Sequence, residues 1–161
     1  MASHLTNYIV AYGYLAFFVI ILLQELGIPG LPNELVLFYF GYICRQTSLS
    51  YPIVICLVIF ADILGSYLLF MLFYHGKDWL AKIKPRWIRI PVKKIDLLKE
   101  KMASKNGKNI FIAKLTPFLR IYTSIAAGLL QIEPLLYSRI VFITAIIWSG
   151  GWVSAGWLFH F

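Results

Sequence analysis

Charge is scarce in this 161-residue sequence. Only 14% of its residues are charged, where a soluble domain carries about 25%. With 60% hydrophobic residues and a mean hydropathy of +0.77, this scarcity argues against a soluble fold and points to an integral membrane protein. Cysteine and histidine are also sparse. Cys44 and Cys56 are the only cysteines; both sit in apolar runs without metal-ligand spacing and read as small buried hydrophobes. Of three histidines, His4 and His160 are terminal and His75 ends an apolar run. That excludes a membrane phosphatase built on a histidine nucleophile with a second histidine. Asp62, Asp78 and Asp96 are too scattered for a metal-dependent phosphotransferase. No enzyme is expected, and no cofactor beyond a coupling proton or sodium ion. No basic residue precedes the first apolar run (8–23), and no small-residue cleavage site follows it. It reads as a retained membrane helix, not a secretory signal.

The charges that are present lie unevenly. Eleven Lys/Arg and three Asp/Glu fall between residues 77 and 108, while the four basic and four acidic residues elsewhere cancel. A basic loop between apolar segments follows the positive-inside rule. It carries no nucleic-acid-binding motif, so no nucleic-acid partner is expected. Within it Ile95, Leu98 and Met102 recur at helical spacing, with Lys93, Lys94, Lys101 and Lys105 mostly elsewhere. This predicts an amphipathic helix on the cytoplasmic bilayer face, with anionic lipid as its partner.

The expected architecture is an all-α, multi-pass membrane domain. Residues 8–26, 51–75 and 134–159 would be transmembrane helices, and 77–108 the cytoplasmic segment. Residues 27–44 and 109–131 would be re-entrant hairpins. The apolar block 35–44 is too short to cross a hydrocarbon core of about 30 Å, and block 109–131 is broken at Thr116-Pro117. Pro29 and Pro32 stop a continuing helix. Asn33 reads as the N-cap of a helix starting at Glu34, and Thr116 as an N-cap with Pro117 at the first helical position. Gly41 and Gly128 each follow a proline break, and Gly65 and Gly151 each lie within the next span. This spacing suggests an inverted repeat.

Ionisable residues at membrane depth are costly and mark a substrate or ion path. Here they are Glu25, Glu34 and Asp62 against Lys114 and Arg120. Three negative charges against two positive would leave one carboxylate holding a proton, a proton-linked switch. The structural alternative is that these charges pair internally and fix the packing. Arg120, one turn beyond Thr116, would join free backbone N–H groups in a phosphate cradle, with Lys114 as a point contact. The substrate with that chemistry, delivered from the membrane, is a lipid head group.

The run Glu25-x-Gly27-x-Pro29-x-x-Pro32-x-Glu34, followed by Gly41, resembles the N-terminal signature of the DedA family, also called the VTT or SNARE-associated-domain family. The run Phe111-Ile-Ala-Lys114-Leu-Thr-Pro117-Phe-Leu-Arg120, then Ala127-Gly128, resembles its second signature, and Asp62-x-x-Gly65 with Tyr67 is similar to a third element. Lys114 stands where that signature usually has arginine, Ala61 where a glycine usually precedes Asp62, and Ser66 intervenes before Tyr67. The resemblance implies two facing hairpins and lipid movement across a bacterial plasma membrane, with Glu25 and Glu34 as an acidic pair and Lys114 and Arg120 as a basic pair. It also implies a last helix missing here, so that the site would be open or closed by a second protomer in a homo-oligomer. The expected function is therefore lipid translocation of the flippase or scramblase kind, proton-coupled. A phospholipid such as phosphatidylethanolamine is favoured, because its ammonium suits the acidic pair and Lys114 weakens a phosphomonoester site. Undecaprenyl-phosphate recycling, an ion or proton transporter and a non-transporting assembly protein are the alternatives.

Overall fold

Eight helices follow one another among the residues that the computed structural model describes, which are 2–28, 32–47, 49–76, 92–102, 107–117 and 119–159. We number them α1 (Ala2–Glu25), α2 (Asn33–Gln46), α3 (Tyr51–His75), α4 (Val92–Met102), α5 (Gly107–Lys114), α6 (Arg120–Leu129), α7 (Pro134–Ala145) and α8 (Gly151–Leu158). A π-helical turn, Ile146–Gly150, joins α7 to α8 without a break. Pro29 and residues 77–91 and 103–106 of the basic segment lie outside the described residues.

Local chemistry sets the ends of these helices. Pro52 and Pro134 occupy first turns, where a missing N–H leaves no bond unmade. Gly27, at φ 89°, turns the chain after α1. Its N–H reaches the Gln24 carbonyl at 3.0 Å and that of Ile28 reaches Leu23 at 3.1 Å, a Schellman closure. The same pair of bonds ends α6, from Gln131 to Gly128 and from Ile132 to Ala127. There Gln131 holds the left-handed conformation (φ 54°) that usually falls to glycine, and its side chain donates to the Tyr74 carbonyl at 2.6 Å.

The unbroken helices α3 and α7–α8 are each 25 residues long and apolar enough to cross a membrane. At 1.5 Å per residue each spans about 37 Å, against a hydrocarbon core of about 30 Å. With 14, eight and ten residues, α2, α5 and α6 are too short to do so singly. Large apolar side chains such as Leu15, Leu35, Phe60, Leu68, Phe142 and Ile147 face outward, as lipid-facing positions do.

Three close approaches hold the short helices to the long ones. A Cβ at Gly41 would overlap the Val153 carbonyl and come within 2.8 Å of the Trp157 nitrogen, and one at Gly156 would overlap the Phe38 carbonyl; these contacts seat α2 on α8. A Cβ at Gly128 would lie 2.7 Å from the Phe70 carbonyl and 3.0 Å from the Tyr74 nitrogen, which seats α6 on α3. Arg45 at the end of α2 donates to the Trp157 carbonyl at 2.9 Å, much as Gln131 after α6 donates to that of Tyr74. At Gly65 the Cβ of Glu25 would be only 2.6 Å away, so α1 presses on α3 beside that carboxylate.

Two large apolar clusters and a smaller third form the core. One gathers Phe17, Ile21, Leu37, Phe40, Val54 and Val153, with the Phe17 and Phe40 rings stacked at 3.9 Å. The other gathers Phe70, Leu98, Met102, Ile110, Tyr137 and Val141. Helix α4 is amphipathic as its spacing predicts, but its apolar side is taken up by protein. Ile95 packs with Leu69, Phe73 and Ile125, and Leu98 and Met102 enter the second cluster. Those three side chains therefore pack inward.

Candidate functional site

Along α3, Asp62 and Ser66 follow Val58 and Ala61 of the first cluster and precede Phe70 of the second. Both are fully buried, as are Glu25 at the end of α1 and Lys114 at the end of α5, and Arg120 at the start of α6 is 3% exposed. Four ionisable groups from four helices thus share one buried site. Isolated ions of this kind cost several kcal/mol each to bury, and the arrangement answers that cost by pairing every one.

Arg120 Nη2 donates to both oxygens of Asp62, at 2.6 and 2.7 Å, and its Nε lies 3.3 Å from Glu25 Oε1. Lys114 Nζ donates to Ser66 Oγ at 2.8 Å, to Ser124 Oγ at 3.0 Å and to the Arg120 carbonyl at 3.4 Å, which uses all three ammonium protons. It lies 3.6 Å from Glu25 Oε2. Ser66 relays between the two ions, accepting from Lys114 and donating to Glu25 Oε2 at 2.7 Å. Tyr137, also fully buried, donates to Ser124 at 2.7 Å. Ser149, in the π turn, donates to Asp62 Oδ2. Asn33 Nδ2 donates to Glu25 Oε1 at 2.9 Å.

The quartet of Glu25, Asp62, Lys114 and Arg120 is balanced, two charges against two. The sequence balance of three to two does not describe it, because Glu34 stays outside. Glu34 is half-buried in the first turn of α2, where its charge complements the helix dipole, and it takes no hydrogen bond or ion pair from the described residues.

Two expected caps have other roles. Asn33 lies within α2, whose preceding residue is Pro32, and its amide serves the Glu25 carboxylate instead of a backbone N–H. Thr116 returns its hydroxyl to the Ile112 carbonyl at 2.9 Å, closing α5 rather than opening the next helix. Pro117 therefore lies in the break, and α6 starts at Arg120. That start places the guanidinium directly against α3. Gly128 serves as the close-approach residue of α6.

Sequence reasoning missed Ser66, Ser124, Ser149, Tyr137 and Asn33 as members of the site. Small hydroxyl residues in apolar helices are common, and only the spacing of Ser66 four residues after Asp62 placed one of them on a charged face. Arg120 also stacks on Trp148, with Cζ 5.4 Å from the ring centroid.

A family model described as the VTT domain matches residues 28–158. Undecaprenyl phosphate transporter A of Staphylococcus aureus is 26% identical to this chain, over 97% of the chain and 78% of that protein. The uncharacterized membrane protein YbfM of Bacillus subtilis is 23% identical, over 90% of the chain and 89% of that protein. No solved structure matches the chain.

Proposed function

The chain belongs to the VTT-domain (DedA) family of membrane proteins, and from that premise we propose that it carries a phosphate-bearing lipid across the membrane. The observation that supports this reading best is the buried, charge-balanced quartet in which Asp62 occupies the guanidinium of Arg120. A carboxylate and a phosphate compete for the same donors, so the site is a lipid-phosphate site held shut by an internal anion.

Charge arithmetic then couples the lipid to a cation. The closed quartet is neutral, and a head group with one negative charge enters it without net charge only if a proton or a sodium ion enters too. A proton on Asp62 or Glu25 would release Arg120 to the phosphate, which is the proton-coupled form of the reading. Lys114 is the less suited phosphate contact, since both serine hydroxyls and the Arg120 carbonyl already hold its three protons. It acts as the pin that holds α5, α6 and α3 together, and Arg120 acts as the ligand.

The architecture that goes with this reading is an inverted repeat. The partners of Gly41 on α8 (Val153, Trp157) and of Gly128 on α3 (Phe70, Tyr74) are separated by the same 83 residues, with a carbonyl and the amide four residues on in each case. Ser66 and Ser149, each donating to a carboxylate of the quartet, share that separation. We read α2 and the α5–α6 pair as facing re-entrant hairpins, the chain as multi-pass in a bacterial plasma membrane, and the basic segment as cytoplasmic against anionic lipid. The quartet is buried within one chain, so a second protomer is not needed to close it.

Two lipid classes fit. A zwitterionic phosphodiester such as phosphatidylethanolamine suits a neutral quartet because its own ammonium is the cation that enters with the phosphate charge. A polyprenyl phosphate is favoured by the name of the Staphylococcus aureus relative. The reading is of a carrier and not of an enzyme. The test is translocation in proteoliposomes, comparing fluorescent phosphatidylethanolamine, a phosphatidylglycerol analogue and a polyprenyl phosphate, with and without a proton gradient. Movement of one lipid class that Arg120→Gln abolishes is the expected result. No movement of any of them under either condition overturns the reading.

A further inference from the structure

The quartet's own atoms without a hydrogen bond among the described residues are Nε and Nη1 of Arg120, the first lying 3.3 Å from Glu25 Oε1, and Asn33 Oδ1 beside the quartet is likewise unpartnered. Arg120 Nη1 is buried and has no hydrogen-bond partner among the described residues, and neither has the buried Nε1 of Trp148. These are the two side chains stacked at cation–π distance, Arg120 Cζ lying 5.4 Å from the Trp148 ring. Leaving one buried donor unmade is costly. Two such donors lie on side chains that are stacked on each other, within a site whose hydroxyl, ammonium and carboxylate groups are matched.

The backbone around Trp148 supports the same assignment. It lies in the π-helical turn Ile146–Gly150 within the continuous α7–α8. Such turns cluster at functional sites, because the widened turn redirects side chains. Here two consecutive residues reach the quartet, Ser149 as a donor to Asp62 and Trp148 as a face for Arg120. Position alone suggests that Trp148 is an interfacial belt residue or packing, and neither role accounts for a buried indole N–H without an acceptor.

We propose that Trp148 is a substrate-binding residue whose indole N–H, together with Arg120 Nη1, receives one anionic oxygen of the lipid phosphate. Arg120 Nη2 stays with Asp62 when that oxygen first arrives, so the head group docks before the Arg120–Asp62 pair opens. The inference rests on the lipid-phosphate reading above and adds to it a residue and an order of events.

The full chain, labelled with 15N-indole tryptophan and reconstituted in nanodiscs, would be titrated with two water-soluble probes. These are farnesyl phosphate and dihexanoyl phosphatidylglycerol, with farnesol as the control without phosphate. The Trp148 indole resonance is assigned by its loss in Trp148→Phe, which keeps a ring face for Arg120 and removes the N–H. The expected result is a saturable shift of that resonance with a phosphate probe and none with farnesol, and affinity about tenfold weaker in Trp148→Phe, as for one lost bond to a charged group. An unmoved resonance, or wild-type affinity in Trp148→Phe while Arg120→Gln loses binding, overturns the role of Trp148 and leaves the carrier reading standing. If neither phosphate probe binds the wild-type chain, the inference falls together with the reading it rests on. The indole shift is read in the wild-type protein, so a poorly folded variant does not decide the matter.

Discussion

Replacing Asp62 by asparagine keeps the shape of the side chain and removes one charge from a site that has four. The quartet becomes +1, and Arg120 loses the carboxylate that takes two bonds of 2.6 and 2.7 Å from its Nη2. Removing one partner of a buried pair costs about 3–5 kcal/mol, because the remaining ion is left buried and uncompensated. Arg120→Gln should cost a similar amount for the same reason, leaving the quartet at −1. The double variant is neutral again, with Glu25 and Lys114 still 3.6 Å apart and bridged by Ser66. Its loss should therefore fall short of the sum of the single losses by about 2–3 kcal/mol, the upper range for residues in direct contact. The measurement is unfolding by SDS titration in dodecyl maltoside micelles for the four proteins of the cycle. The exposed pair Asp96–Lys99 serves as control. Its atoms are 4.0 Å apart and its side chains 63% and 38% exposed, so its coupling should be below about 1 kcal/mol. Additivity of Asp62→Asn and Arg120→Gln within about 0.5 kcal/mol would refute the quartet as an energetically coupled unit.

The same unfolding assay checks three further expectations. Gly41→Ala and Gly156→Ala each drive a methyl into a backbone carbonyl across the α2–α8 contact and should destabilise by about 1–3 kcal/mol or more; Gly151→Ala, with nothing within 4 Å of its Cβ, should be neutral or stabilising by up to about 1 kcal/mol. Ser66→Ala removes the hydroxyl that links Lys114 to Glu25 and should cost about 1–3 kcal/mol, with a loss below about 0.5 kcal/mol counting against the relay. Gln131→Ala loses the bond to the Tyr74 carbonyl while keeping the left-handed backbone, so it should be less stable than Gln131→Gly, which also relieves the backbone.

Composition alone determined the class of this protein, because a chain so poor in charge and so rich in apolar residues has no soluble core to form. Periodicity and length determined the long helices. Tyr51–His75 and Pro134–Leu158 are unbroken apolar stretches, and the proline at the head of each fixes where it begins. The few charges outside the basic segment were equally legible as a set, since each stands alone in apolar sequence. Tertiary structure decided which of them meet. Glu25, Asp62, Lys114 and Arg120 come from four helices, and their convergence depends on α1 and α6 both pressing on α3. Glu34, with a similar local sequence, stays apart because its helix packs on α8 instead. Local rules also misplaced Asn33 and Thr116. Both are good caps by residue type, but a buried carboxylate drew the amide of Asn33 and the end of α5 drew the hydroxyl of Thr116. The amphipathic spacing of α4 specified an apolar face without specifying what covers it, and the neighbouring protein does so. A sequence records which groups must be satisfied or buried, and only the packed chain determines the partners that satisfy them.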